Sequence, residues 1–248
     1  MVTQVASFLE MAMLKALIFD VDGTLADTEH THLKAFNQAF AQEGLDWHWS
    51  EAEYTELLNI SGGKERMLHH WRQVEPNMKE LQAGAIAETI DRLHQVKTAF
   101  YEEAVRNGEV SLRPGVLALI QEAREQGLQL AIATTTSPAN IAALLTAAIG
   151  PDWRTHFLAV GDASSSPIKK PDPQVYRQVL GDMGFEAREC LAFEDSSNGL
   201  RAANAAGLKT VITPNAFTDH HDFRAAWRVV PDLRQARLIQ LRRWFDQV

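Results

Sequence analysis

The chain contains one cysteine, Cys190, so no internal disulfide can form and burial has to stabilise the fold. That usage fits a reducing compartment. Long apolar runs are also missing. No segment approaches the roughly 20 residues that span a bilayer as a helix. The first residues carry no basic region, and Glu10 interrupts their apolar character, which argues against a secretory signal. A cytoplasmic location is expected. Whether residues 1–13 are an extension or a loosely attached helix stays open. Positive charge is scarce: 24 Lys and Arg stand against 32 Asp and Glu, a net charge of -8. Such a chain is a poor partner for nucleic acid or an anionic membrane, although a local basic pocket for a small anion remains compatible with it. Repeats, low-complexity tracts and charged tails are absent from the sequence. What is present is ordinary globular composition, 248 residues with 46% hydrophobic and 23% charged.

The informative stretch is Leu17-Ile18-Phe19-Asp20-Val21-Asp22-Gly23-Thr24-Leu25. An apolar run that stops on two carboxylates reads as a buried parallel strand whose carboxyl end opens into a site. Two acids there are costly unless a cation shares them, and a hard divalent ion such as Mg²⁺ takes oxygen ligands. After it, helical spacing runs from Thr28 to Gly44, with Thr28 as a candidate cap. A second helix starts at Ser50-Glu51. Ile60 to Arg66 breaks the period, and helix resumes at Met67 until Pro76. A long amphipathic helix is expected from about Met78 to Asn107. From Pro114 strands and helices alternate. Strands are expected at 128–133, 157–160, 191–193, 210–212 and 229–230, with a final helix opened by Pro231. The pattern predicts an α/β fold, a doubly wound parallel sheet with an inserted helical cap. Residues 14–27 and 108–248 would form the core and 28–107 the cap.

Strand ends would then bring together Asp20 and Asp22, Thr134, the segment holding Lys169 and Lys170, and Glu194 with Asp195. Asp20, Asp195 and Glu194 would hold Mg²⁺. Thr134 and Lys170 would bind the oxygens of a phosphoryl group. Asp20 would attack phosphorus, and Asp22 would protonate the leaving oxygen and later deprotonate water.

These motifs resemble the haloacid-dehalogenase superfamily, phosphatase branch: Asp20-Val21-Asp22-Gly23-Thr24, Thr134 after an apolar strand, Lys170 in Lys-Lys-Pro-Asp-Pro, and Glu194-Asp195, in that order. The resemblance implies Asp20 as nucleophile and Asp22 as general acid/base. It implies Asp20, the Asp22 carbonyl and Asp195 as Mg²⁺ ligands. Lys170, which precedes Pro, becomes the catalytic lysine in place of Lys169. It also implies the small helical cap of the phosphoglucomutase-like subgroup. Asp20 to His32, Ser61-Gly62-Gly63-Lys64-Glu65-Arg66, Thr134 to Thr136 and Phe193 to Arg201 are further similar to CbbY-type phosphatases, which hydrolyse xylulose 1,5-bisphosphate. That likeness implies Glu29 and His32 near sugar hydroxyls or the metal, and Lys64 and Arg66 on the phosphate that is not transferred. Gly63, Thr135 and Asn198 lie in the same stretches and join the substrate-binding set. A bisphosphate needs a second anion site, and Gly-Gly followed by Lys and Arg suits one.

The expected partner is a phosphorylated sugar. A β-phosphoglucomutase-like mutase and a phosphatase of another sugar phosphate stay open as alternatives. Other features read as structural. Trp47, Trp49 and Trp71 are expected to pack. The pairs His69-His70 and His220-His221 are expected at the surface. Cys190 is expected to be an inert core residue. Nothing in the chain sets an oligomeric state.

Overall fold

The computed structural model describes residues 13–75 and 83–246. Six strands, β1 (Ala16–Phe19), β2 (Gln129–Ala133), β3 (Ala159–Gly161), β4 (Cys190–Glu194), β5 (Lys209–Ile212) and β6 (Arg228–Val229), form one sheet in the order β3-β2-β1-β4-β5-β6. Every pairing is parallel, with Phe19 opposite both Ile132 and Phe193. β1 is fully buried on both faces, which is why its sequence is a continuous apolar run instead of an alternation.

Helices cover both faces. On one, Leu17, Phe19, Leu191 and Phe193 pack with α5 (Val116–Glu125), α6 (Pro138–Ile149) and α9 (Leu238–Phe245). On the other, Ala16, Ile18, Ala131 and Ala192 meet α7 (Gln174–Met183) and α8 (Ser197–Ala205). Phe19 stacks on Phe193 with centroids 4.8 Å apart.

Between β1 and β2 the chain forms α1 (Glu29–Gln42), α2 (Glu51–Leu57), α3 (Gly63–Val74) and α4 (Ala83–Arg106). They share an aromatic core of Phe36, Phe40, Trp49, Tyr54 and Trp71, joined by Phe217 from the loop after β5. The tryptophans therefore pack, as expected. The segments leading into and out of these helices pair with each other, through an antiparallel bridge between Ala26 and Leu112 and a bond from the Arg113 amide to the Leu25 carbonyl, 2.8 Å.

The sequence reading needs four corrections. α3 begins at Gly63, not Met67: only Gly62, at φ 99°, leaves the helix, and Lys64, Glu65 and Arg66 are good helix formers. Thr28 occupies the N-cap position of α1, but its side chain caps nothing and turns to Asp22. β3 starts at Ala159, two residues later than the expected strand. After Pro231 comes a single 3₁₀ turn, Leu233–Gln235, and α9 follows only from Leu238. Asp232 accepts from the Arg234 amide at 2.9 Å and closes that turn early. The expected start of α4 near Met78, the stop at Pro76 and nearly all of 1–13 lie outside the described residues.

Candidate active site

Parallel register brings the strand ends to one edge. The Asp20 amide donates to the Phe193 carbonyl at 3.0 Å, and the Thr134 amide to the Gly161 carbonyl at 3.0 Å. Asp20, Thr134 and Glu194 therefore leave the sheet as neighbours, and Lys170 reaches them from the segment after β3. Its buried ammonium donates to Asp20 Oδ1 and Glu194 Oε1, both 2.6 Å, and to the Ala133 carbonyl, 2.9 Å. Burial alone would lower its proton affinity, but the two carboxylates outweigh that and keep it charged. Lys169 points elsewhere, to the Ala163 carbonyl.

Carboxylate oxygens of Asp20, Glu194 and Asp195 lie within 4.8 Å of one another, and all three residues are buried. Tyr176 on α7 donates its hydroxyl to Glu194 Oε1 at 2.5 Å, while Glu194 Oε2 is buried without a partner. Asn215 donates to Asp195 Oδ2 at 2.7 Å. Burial pushes Glu194 up to about 7 and Asp195 well above the carboxylate range. One ammonium does not balance three buried acids. An oxygen-only donor set with an orphaned carboxylate oxygen suits a hard divalent cation.

The Asp22 carboxylate is not one of the three. Its Oδ1 accepts from the Thr28 hydroxyl at 2.9 Å and lies 2.9 Å from His32 Nε2. Beyond it the chain turns tightly, with the Leu25 amide on the Val21 carbonyl at 2.9 Å. His32 Nδ1 lies 2.7 Å from the Lys97 ammonium, so Nδ1 accepts and Nε2 carries the proton given to Asp22. Burial works against the Asp22 charge, but His32, Lys97 and Thr28 together hold its carboxyl far below the usual range. Burial lowers Lys97 to about 8.

A cavity of about 530 Å³ is bordered by Asp20, Asp22, His32, Lys97, Thr134, Lys170, Glu194 and Asp195, and by Glu29, Gly63, Lys64, Arg66, Thr135 and Asn198. Glu29 accepts from Tyr54 at 2.8 Å, and Arg66 donates to that same hydroxyl at 3.3 Å and to the Ile60 carbonyl at 2.8 Å. Lys64 bonds Asp91 at 2.6 Å. Asn198 caps nothing; Ser196 does that, and Asn198 Nδ2 reaches the Asn59 carbonyl at 2.9 Å and Ser61 Oγ at 3.2 Å.

Sequence reasoning missed several members. Lys97 interrupts the buried stripe of α4 between Leu93 and Tyr101, and a lysine on an apolar stripe was its signal. His94, one turn before it, also borders the cavity. His221 was expected at the surface. It is half-buried on the cavity wall, and its Nδ1 accepts from the Ser197 amide at 3.2 Å. Tyr176 and Asn215 carried no signal of their own.

A family model described as haloacid dehalogenase-like hydrolase matches residues 14–207. The chain belongs to the haloacid dehalogenase-like hydrolases. Within them it is 56% identical over 220 residues to the plasmid-borne protein CbbY of Cupriavidus necator, covering 89% of this chain and 86% of that one. A mutant CbbY from Rhodobacter sphaeroides, solved with xylulose 1,5-bisphosphate, is 38% identical with a TM-score of 0.81, covering 92% of this chain and 99% of that one. A β-phosphoglucomutase from Clostridium difficile shares the fold at 19% identity and a TM-score of 0.76, covering 95% and 98%. With these relatives, this haloacid dehalogenase-like hydrolase is a phosphatase. Among its described residues, no helix is long and apolar enough to cross a membrane.

Proposed function

We propose that the protein is a Mg²⁺-dependent sugar-phosphate phosphatase that hydrolyses xylulose 1,5-bisphosphate to xylulose 5-phosphate through an aspartyl phosphate on Asp20. The observation that carries this reading is one cavity lined by cations from two separate parts of the chain. Lys170 stands beside Asp20, and Lys64 and Arg66 stand on the wall built by α3. A monophosphate has no use for the second group; a bisphosphate has. The relative solved with that bisphosphate supports the choice.

Asp20 attacks phosphorus as the bond to the sugar oxygen breaks, and Asp22 in its protonated form supplies that oxygen with a proton. Water then attacks the phosphorus while Asp22, now ionised, takes its proton, and inorganic phosphate leaves Asp20. The carboxylate held by Thr28 and His32 is the form suited to this second half. Lys170 and Thr134 hold phosphoryl oxygens in both halves. Asp20, Glu194, Asp195 and the Asp22 carbonyl would hold Mg²⁺, which supplies positive charge to the transferring group. In this reading residues 28–107 are a cap over a core of 14–27 and 108–248. Glu29, His32, Gly63, Thr135 and Asn198 shape the sugar site.

The test is kcat/KM across sugar mono- and bisphosphates with Mg²⁺. Xylulose 1,5-bisphosphate should lead its monophosphate by about 100-fold, the scale of one or two charge-assisted bonds. Equal turnover of monophosphates would overturn the substrate. Conversion of glucose 1-phosphate to glucose 6-phosphate would replace the phosphatase with a mutase.

A further inference from the structure

Arg113 lies in the segment by which the chain returns from α4 to the sheet, yet its side chain leaves that segment entirely. Nη1 donates to the Gly23 carbonyl, to the Thr213 carbonyl at 2.6 Å and to Thr213 Oγ1 at 3.0 Å; Nη2 donates to the Pro214 carbonyl at 2.6 Å. The half-buried guanidinium bonds no carboxylate. Its two Nη atoms reach three main-chain carbonyls and the Thr213 hydroxyl, all in two loops, the turn after β1 and the loop after β5.

Each loop bears on the acidic cluster. Gly23 follows Asp22 and sits at φ +74°, and a Cβ there would run into Asp195 Oδ2 and come within 2.7 Å of Asn215 Nδ2. Asn215 follows Pro214, accepts from the Phe217 amide at 2.9 Å and donates to Asp195 Oδ2 at 2.7 Å. The Gly23 peptide, the Asn215 amide and the Asp195 carboxylate thus form one packed unit, with Arg113 across both loops that build it. A planar fork can hold carbonyls from two directions at fixed angles; an ammonium on a flexible stem cannot.

We infer that Arg113 is a positioning residue for the phosphoryl-transfer site: by clamping Gly23 to Thr213 and Pro214 it sets the Asn215 amide that aims Asp195 at the cation. The inference rests on Asp20, Glu194 and Asp195 being the cation site.

The experiment measures Mn²⁺ binding to substrate-free protein by electron paramagnetic resonance, beside kcat and KM for p-nitrophenyl phosphate and the melting temperature. Arg113→Lys should weaken Mn²⁺ binding about tenfold and lower kcat about tenfold, the usual size of a lost orienting bond behind a metal ligand. KM for the phosphate ester should stay within about twofold, because ground-state binding is untouched. Asn215→Ala leaves the clamp in place and should show the same split. The double variant should be no worse than the poorer single one, since both act through Asp195. Guanidinium at millimolar concentration should restore part of the loss in Arg113→Ala. Arg113→Lys with wild-type Mn²⁺ affinity and only a lower melting temperature would overturn the inference. So would additive losses in the double variant. Should Arg113→Lys fail to fold, wild-type Mn²⁺ affinity in Asn215→Ala would overturn it alone. Wild-type protein that binds no Mn²⁺ would remove the cation site itself, a distinct result.

Discussion

Lys97 is tied to Asp22 through a single imidazole: His32 accepts from the ammonium at one ring nitrogen and lies 2.9 Å from the carboxylate at the other. A charge on α4, far along the chain, therefore joins His32 in holding the Asp22 carboxyl ionised. The arrangement is costly to the fold. Burial lowers Lys97 to about 8 from an ordinary 10.5. Below pH 8 the folded protein carries the full penalty of a buried ammonium. Between 8 and 10.5 the unfolded chain binds more protons than the folded one, so this contribution to stability rises with pH.

Lys97→Met should thus stabilise the protein at pH 7 while slowing it. The shift corresponds to about 3 kcal/mol, from which about 1 is subtracted for the bond His32 loses, leaving a gain of about 2 kcal/mol. The gain should shrink as pH approaches 10. Urea unfolding at pH 7 and 9.5, with kcat measured in parallel, checks this; a less stable variant at pH 7 contradicts it.

Asp20→Asn should lower turnover by a factor on the order of 10⁴ or more, as loss of a covalent nucleophile does. The same change removes one of three crowded carboxylates, so the cation-free variant should melt no lower than wild type in EDTA. Rapid-quench labelling of wild type should place acid-stable phosphate on Asp20. A variant that still turns over, or label on another residue, contradicts the assignment.

The strand that carries Asp20 was legible because a parallel strand buried on both faces has to be apolar throughout, and an acid straight after it has few structural explanations. Thr134, Lys170, Glu194 and Asp195 were legible for the same reason, as polar residues at strand ends or beside a proline. Lys97 was not, because helical periodicity treats a lysine as a solvent position and passes over one on the buried stripe. Asn215 and Tyr176 act only through other side chains, Asp195 and Glu194, and leave no pattern in the chain. The start of α3 was misplaced because two glycines read as a break, whereas only Gly62 takes a left-handed φ.

Lys64→Ala should raise KM for xylulose 1,5-bisphosphate about 10- to 100-fold, the value of one charge-assisted bond. KM for p-nitrophenyl phosphate should move less than about twofold, since that ester has nothing to place at α3. Because Lys64 is engaged with Asp91 in the free protein, Asp91→Asn should act in the opposite sense and lower KM for the bisphosphate. Equal effects on both substrates would take Lys64 out of the anchoring site.

Chelation should stop turnover, and Mg²⁺ should restore it. Binding to the folded state alone also stabilises by mass action, about 2.7 kcal/mol at a hundred times Kd. The melting temperature should therefore climb with Mg²⁺ concentration. Asp195→Asn should abolish that climb. Metal-independent hydrolysis, or melting blind to Mg²⁺, would refute the ion site.

β1 precedes every other strand in the chain and yet lies at the middle of the sheet, where Ala16 pairs with both Gln129 and Cys190. During translation its four apolar residues leave the ribosome with both edges bare. One stays bare until β2 is made, and the other until β4 is, roughly ten to thirty-five seconds after β1 at typical elongation rates. The segment that leads into Asp20 is consequently an exposed edge of the nascent chain, and chaperone demand should concentrate there.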